Sequence, residues 1–311
     1  MSILLDGGPR LRQEDFRLLR DLVNRQSGMF FDDSSMFVFE RRLRERVRAL
    51  GLSEFTAYYH YLRYHPGGPA ELEDAIEALV TNETYFFREE YQLKAFRRDV
   101  LPDIKKRGEE RGQRRVLVWS AGCSTGEEAY TLAILLHRSG LFDGWDVRVF
   151  GNDISRRVLA FARRGIYGPS SFRAMPPEYD EHFVYDPDTG GRRVHQRIRA
   201  MCQFGHLNLL DRERSSLLGR VDAIFCRNVL IYFDTESRKK VIETFYDRLQ
   251  PGGHLFLGHS ESLLSVSTAF ELAHLSSDMV YRKPVERFSR RAPPPPRGSS
   301  GGSGGSQGGG T

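Results

Sequence analysis

The pattern that most limits the fold begins at Arg115, where short apolar runs start to alternate with amphipathic segments. Val116–Ser120 precedes a helix from Gly126, Val147–Gly151 a helix from Ser155, and Ala223–Cys226 a helix from Thr235 to Leu249. Pro251-Gly-Gly253 closes that last helix, and His254–Leu257 follows as a strand. Strands separated by helical stretches need crossover connections, so the spacing predicts an α/β domain with a parallel sheet. Two places break the alternation. Asp186-Pro-Asp-Thr-Gly-Gly191 between Val184 and Val194 predicts a small hairpin insertion. Phe270–Leu272 and Met279–Arg282 have no long helix between them, which suits an antiparallel edge pair.

The first hundred residues carry a helical period instead. Phe16, Leu19, Leu22 and Val23 share one face, and a second helix capped near Ser34 or Ser35 carries Met36, Phe39, Leu43, Val47 and Leu50 to Gly51. A third starts near Ser53 with Phe55, Tyr58, Tyr59 and Leu62. A fourth follows Pro66-Gly-Gly-Pro69 with Leu72, Ala75, Ile76 and Leu79 inward. At 311 residues the chain is long for one domain. The divisions expected are 1–80 as a helical N-terminal domain, 81–114 as a connecting segment and helix, and 115–284 as the α/β domain with a small β-subdomain at about 180–200. The Pro/Gly/Ser-rich residues 285–311 are expected to be a disordered tail.

No apolar run reaches the ~18–20 residues of a membrane span, and the first residues lack the pattern of a signal peptide. A cytoplasmic protein without direct membrane insertion is expected. Three cysteines (Cys123, Cys202, Cys226) lie far apart, and nine histidines show no His-x-x-His spacing, so neither a disulfide framework nor a metal site is expected. A net charge of +5 is too modest to imply nucleic acid.

Gly122-Cys-Ser-Thr-Gly126, between a strand and a helix, stands where such sheets bind nucleotides. Glu127 and Glu128 in the first helical turn would repel a phosphate. There is no Gly-Lys-[Ser/Thr], and the glycine spacing is not that of a dinucleotide fingerprint. S-adenosylmethionine carries an ammonium and a sulfonium and no phosphate, so it suits acidic neighbours. Asp153, ending the next strand, is placed to accept both ribose hydroxyls, the alternative being a helix cap. Gly205-His-Leu-Asn208-Leu209 and Phe225-Cys-Arg-Asn228 add polar groups at later strand ends.

Thr81-Asn-Glu-Thr-Tyr-Phe-Phe-Arg88, Trp119-Ser-Ala-Gly-Cys-Ser-Thr-Gly-Glu-Glu128, Phe225-Cys-Arg-Asn-Val-Leu-Ile-Tyr-Phe233 and Gly258-His-Ser-Glu261 together resemble the chemotaxis receptor methyltransferases, the CheR family. The resemblance runs in order from the N-terminal helices to Tyr281. It implies a Rossmann-like methyltransferase domain with a β-subdomain insertion, preceded by an all-helical domain. The implied activity is methyl transfer from S-adenosylmethionine to glutamate side chains on the cytoplasmic methylation helices of chemoreceptors. By motif, the implied cofactor contacts are Asn82, Thr84, Arg88, Glu128, Asp153, Asn208, Leu209, Arg227 and Asn228, and Tyr232 matches a tyrosine that reaches toward the methyl group. Arg88 and Tyr232 are the candidates for steering the substrate carboxylate. The hairpin Phe183 to Ile198 is somewhat shorter than in members that bind a receptor C-terminal pentapeptide, which points to docking through the N-terminal domain. There, Arg41, Arg44 and Arg48 fall opposite Leu43, Val47 and Leu50, a basic stripe suited to Glu-rich helices.

Three rival readings fit less well. An exocyclic-amine methyltransferase of nucleic acid would carry an Asn/Asp-Pro-Pro-Tyr-type motif where Arg227-Asn-Val-Leu stands. A non-catalytic sensor would lack Arg88 and Tyr232. The run Gly258-His-Ser260-Glu-Ser262 fails the nucleophile-elbow pattern at its fifth position and is expected to be a strand-end turn lining the cleft.

Overall fold

The computed structural model describes residues 8–285; the expected tail lies, beyond Val285, outside the described residues. Four helices come first: α1 (Gln13–Ser27), α2 (Met36–Ala49), α3 (Phe55–Tyr64) and α4 (Gly68–Leu79). Phe16, Leu19, Phe39, Leu43, Val47, Phe55, Tyr58, Ala75 and Ile76 are buried together, as the helical period requires. Helix α2 starts where expected, with Ser35 at its N-cap position, but no serine side chain caps it. Asp32, not Ser34 or Ser35, accepts the Ser35 N–H, and it caps a short 3-10 turn (Asp33–Ser35) that leads into the helix. A carboxylate outcompetes the serine hydroxyls, which donate to it instead.

Residues 80–89 cross to the second domain, followed by α5 (Glu90–Ala95), a π-helical turn (Phe96–Val100) and α6 (Leu101–Glu110). Pro102 has no N–H to give the turn before it, and the hydrogen-bond ladder widens there. Then come β1 (Arg115–Ala121), α7 (Glu127–Arg138), β2 (Asp146–Asp153), α8 (Arg156–Arg164) and β3 (Ile166–Tyr167). They are followed by β4 (Phe183–Asp186), β5 (Gly191–Val194), α9 (Gln196–Arg199), β6 (Cys202–His206) and α10 (Arg212–Ser216). The chain continues through β7 (Val221–Cys226), α11 (Thr235–Arg248), β8 (Leu249–Leu257), β9 (Glu271–His274) and β10 (Met279–Arg282).

The main sheet runs β6-β2-β1-β7-β8-β10-β9. The first five strands are parallel and the last two pairings antiparallel. The antiparallel edge expected from Phe270–Arg282 is therefore present. Strand β1 shows why its apolar run is continuous: Val116 and Val118 pack into the core under α7, Leu117 and Trp119 into the core under α11. Strand β8 starts five residues earlier than the sequence suggests. Leu249 pairs with Val221 and His254 with Ala223, so Pro251-Gly-Gly253 is a bulge inside the strand and not only a helix stop.

The hairpin β4–β5 forms as expected, and β3 adds to it as a third antiparallel strand. A two-residue strand leaves no periodicity to read. The small sheet is joined to the connecting segment by an aromatic cluster in which Phe86 stacks on Phe172 at 5.1 Å and meets Tyr167 and Phe183 edge-on. Among the described residues no helix is long and apolar enough to cross a membrane.

The chain passes from β1 to β2 and β6 on one side and returns to β7 and β8 on the other. The order reverses between β1 and β7, and a crevice opens at their carboxyl ends.

Candidate functional site

A cleft with about 900 Å³ of empty space, part of it open to solvent, occupies that crevice. Loops after β1, β2, β6 and β7 supply one wall. Residues 80–84 with Arg88 supply another, and Ser27 and Met29 of the helical domain close it from above. Asn82, Thr84, Arg88, Glu128, Asp153, Asn208, Leu209, Arg227, Asn228 and Tyr232 all line this cleft, although they come from five separate stretches of chain.

The turn after β1 is shaped by its backbone. Gly122 has φ +77°, and a Cβ there would meet Val229 at 2.5 Å, so no other residue fits without displacing the β7 loop. Asn152 anchors the turn: its carbonyl accepts the Gly122 and Cys123 N–H groups at 2.9 and 2.7 Å. Its side chain accepts from the Trp119 indole at 2.6 Å and donates to the Leu207 carbonyl at 2.8 Å. Asp153 accepts from Ser124 N at 2.9 Å through one oxygen and from Ser155 N at 3.0 Å through the other. The helix cap of α8 is Ser155, whose hydroxyl accepts from Val158 N. Asp153 thus serves the cleft turn, and each of its oxygens keeps an acceptor site for a vicinal diol. Burial pushes its pKa up against the pull of these backbone N–H groups.

The two glutamates of the α7 turn separate. Glu128 lines the cleft, accepting from Ser120 Oγ at 2.7 Å and from Arg227 Nε at 2.7 Å. Glu127 is buried away from it, holding Thr125 and Ser171, with its pKa raised by burial. Arg227 also donates to the Arg88 carbonyl at 2.7 Å and stands 3.7 Å from Glu89. One buried guanidinium therefore ties the β7 loop to α7 and to the 88–92 segment.

Arg88 makes no ion pair with Glu89 or Glu90 among the described residues. Its guanidinium donates to the Glu83 carbonyl at 3.0 Å and lies over the Tyr85 ring. Flanking it, Phe87 and Glu89 have φ of +60° and +56°, conformations costly for residues with a Cβ. Phe87 stacks on Tyr179 at 4.2 Å and its N–H meets Thr131 Oγ1 at 3.3 Å. Packing on both sides over-determines the backbone that brings Arg88 into the cleft lining. Ser124 and Asn228 also have positive φ, so four of the five such non-glycine residues among the described residues border this site.

Asn208 lines the cleft, but its amide donates to the Gln26 carbonyl at 2.7 Å and accepts from Leu210 N at 3.0 Å. Its amide nitrogen fastens the helical domain, and its oxygen holds its own loop. His259 and Ser260 form a strand-end turn as expected, yet they are exposed and do not line the cleft. The carboxylate beside them, Glu261, is the group of that motif which reaches inward. Met29, Ser27, Asn152 and Phe233 carry no assigned role in the sequence reading. Met29 and Phe233 form an isolated antiparallel backbone bridge across more than 200 residues of sequence, which no local pattern reveals.

The basic stripe on α2 is partly engaged within its own domain. Arg44 pairs with Glu40, Arg48 with Glu45 at 3.2 Å, and Gly8 packs against both arginines. Arg41 is exposed, over the Phe37 ring.

Two buried acceptors in this wall, Asn82 Oδ1 and Asn228 Oδ1, have no hydrogen-bond partner within the protein. Unpaired buried acceptors call for donors. An amino group and a pair of ribose hydroxyls facing Asp153 are what S-adenosylmethionine brings, so the residues present fit it. Cys123, also in the wall, has its thiol pKa pushed well up by burial and is no nucleophile at neutral pH.

A Rossmann-like sheet with a phosphate-averse, acid-lined cleft at its switch point defines an S-adenosylmethionine-dependent methyltransferase. The "CheR methyltransferase, all-alpha domain" model matches residues 14–80, and the "CheR methyltransferase, SAM binding domain" model matches residues 82–279. Chemotaxis protein methyltransferase 2 of Vibrio cholerae is 37% identical over 272 residues, covering 87% of this chain and 93% of that protein. The chemotaxis protein methyltransferase of Salmonella typhimurium is 36% identical over 278 residues, covering 87% and 92%. The chain belongs to the CheR methyltransferase family. Its activity is that of the family, transfer of a methyl group from S-adenosylmethionine to glutamate side chains of chemoreceptors.

Proposed function

We propose that this protein esterifies glutamates on the cytoplasmic methylation helices of chemoreceptors, working in the cytoplasm, with Arg88 and Tyr232 receiving the substrate carboxylate. In this reading Asn82, Thr84, Arg88, Glu128, Asp153, Asn208, Leu209, Arg227 and Asn228 surround the cofactor. The observation that supports it most is that Arg88 and Tyr232 line one cleft together with Glu128 and Asp153.

When bound, the cofactor supplies a methyl group on a positively charged sulfur. A glutamate with an ordinary pKa of ~4.3 is already ionised at neutral pH, so no general base is required. Attack of an anion on a cation cancels charge, and water, which stabilises separated charges, slows it. The chain's own residues act by orienting the carboxylate in line and excluding solvent. Arg88 and Tyr232 orient; Met29, Leu207, Leu209 and Phe233 give the cleft its dry walls.

The N-terminal helices, residues 1–80, serve docking in this reading, with Arg41, Arg44 and Arg48 meeting an acidic helix. Arg41→Glu is the cleaner variant, because Arg44 is paired internally. It is expected to slow receptor methylation several-fold, with raised salt doing the same to the wild type. Methylation rates on receptor-bearing membranes that ignore both changes would remove the stripe from docking.

The direct test of the activity is incubation with methyl-labelled S-adenosylmethionine and such membranes. Base-labile methanol release is expected; a base-stable label on nucleic acid would defeat the reading.

A further inference from the structure

Glu261 plays no part in the reaction as described so far, yet its carboxylate collects four backbone donors. Oε2 accepts from Gly258 N at 2.6 Å and Asn228 N at 2.8 Å; Oε1 accepts from Val229 N at 3.0 Å and Ile231 N at 3.2 Å. Three of those donors belong to the turn that carries Asn228 and Tyr232 into the cleft. Asn228 sits in that turn at φ +59°, a left-handed conformation that asparagine tolerates better than most residues with a Cβ, and contacts hold the rest of the turn. It interlocks with the loop after β8, where a Cβ on Gly258 would lie 2.8 Å from both Asn228 N and Glu261 Oε2. On its far side the turn is fixed by the helical domain, through Phe30 N donating to the Tyr232 carbonyl at 2.7 Å and Asn24 donating to Asp234 at 2.7 Å.

We propose that Glu261 is a positioning residue for methyl transfer: its carboxylate locks the 228–231 turn so that Asn228 faces the cofactor and Tyr232 faces the substrate carboxylate. The assignment rests on the functional reading above for the roles of those two residues.

The chemistry of the four donors explains why a carboxylate stands here. Two oxygens offer about four lone pairs, one for each N–H. Among the described residues no cation pairs with Glu261, so the anion is held by peptide dipoles alone. Burial pushes its pKa up while the four N–H groups pull it down. A glutamine would present one oxygen and an NH₂ group, leaving at least two donors facing a donor. The turn would then relax away from φ +59°, taking Asn228 and Tyr232 with it.

The test compares the wild type, Glu261→Gln, Asn228→Ala and the double variant. S-adenosylmethionine affinity is measured by calorimetry and kcat on receptor-bearing membranes. Glu261→Gln is expected to weaken cofactor binding about tenfold, the scale of one or two lost hydrogen bonds. It is expected to lower kcat on the order of 10²-fold, the cost of misplacing a reacting group by about an ångström. Because Glu261 acts on the cofactor through Asn228, adding Glu261→Gln to Asn228→Ala is expected to weaken binding no further. Independent, multiplying losses overturn the proposal. So does a folded Glu261→Gln with a lowered melting temperature but wild-type affinity and kcat, which is the signature of a merely structural role. Should Glu261→Gln not fold, Glu261→Asp keeps the charge one methylene short: reduced cofactor affinity supports the proposal, wild-type affinity overturns it. Cofactor affinity needs no receptor. A wild type that binds cofactor but methylates no receptor therefore counts against the functional reading and leaves this test standing.

Discussion

Replacing Arg227 by alanine is expected to cost about 3–5 kcal/mol of stability and the transfer activity together. The side chain is 3% exposed and neutralises Glu128 at 2.7 Å, with Glu89 at 3.7 Å. Removing the guanidinium leaves a carboxylate at the cleft floor without its counter-charge and frees the Arg88 carbonyl. The melting temperature should fall by about 10 °C, at the roughly 2–4 °C per kcal/mol usual for a domain the size of the α/β domain that holds Arg227. Arg227→Lys should recover only part of the loss, since one ammonium cannot reproduce the forked contacts to Glu128 and the Arg88 carbonyl. Thermal unfolding followed by calorimetry decides it. An alanine variant that melts with the wild type would show that Glu128 and Glu89 find another partner.

Arg88→Ala is expected to behave in the opposite way, losing turnover by 10²-fold or more while keeping its melting temperature, as removal of one preorganised donor from a reacting centre typically does. The side chain is only half-buried and its contacts are a backbone carbonyl and the face of Tyr85. Losing those contacts changes stability little. The strained backbone around it is held by Phe86 and Phe87, which the substitution leaves in place. Wild-type turnover in this variant would take Arg88 out of the mechanism. The pair of variants separates two arginines that the sequence places side by side in function: Arg227 builds the cleft, and Arg88 is proposed to act on the substrate.

Much of this architecture is written in short-range patterns. The change from a 3.6-residue period before residue 80 to short apolar runs after Arg115 announces a helical domain followed by a parallel sheet. That holds because the inner strands β1, β7 and β8 are buried on both faces and each N-terminal helix on one. The ends of elements are less legible. Ser34 and Ser35 look like caps until Asp32 takes the role, and Pro251-Gly-Gly253 reads as a stop although pairing with β7 carries the strand through it. Strand β3 is two residues long and exists only because β5 is there to pair with.

Within the site, the sequence by itself determined the cofactor class. Glycines at 122 and 126, paired glutamates and Asp153 constrain charge and turn geometry within about thirty residues, and that chemistry is local. It also supplied, by motif, ten side chains that the tertiary structure brings around one cleft. What each of them does there was decided only by folding. Asn208 spends its polar atoms on the helical domain and its own loop, Arg227 is sealed into an ion pair, Glu127 turns away and Glu128 turns in. Met29 and Phe233 meet from distant ends of the chain, and Glu261 gathers a turn about thirty residues before it. A residue's type fixes which bonds it is able to make, but the bonds it does make depend on which backbone groups folding leaves unpaired beside it.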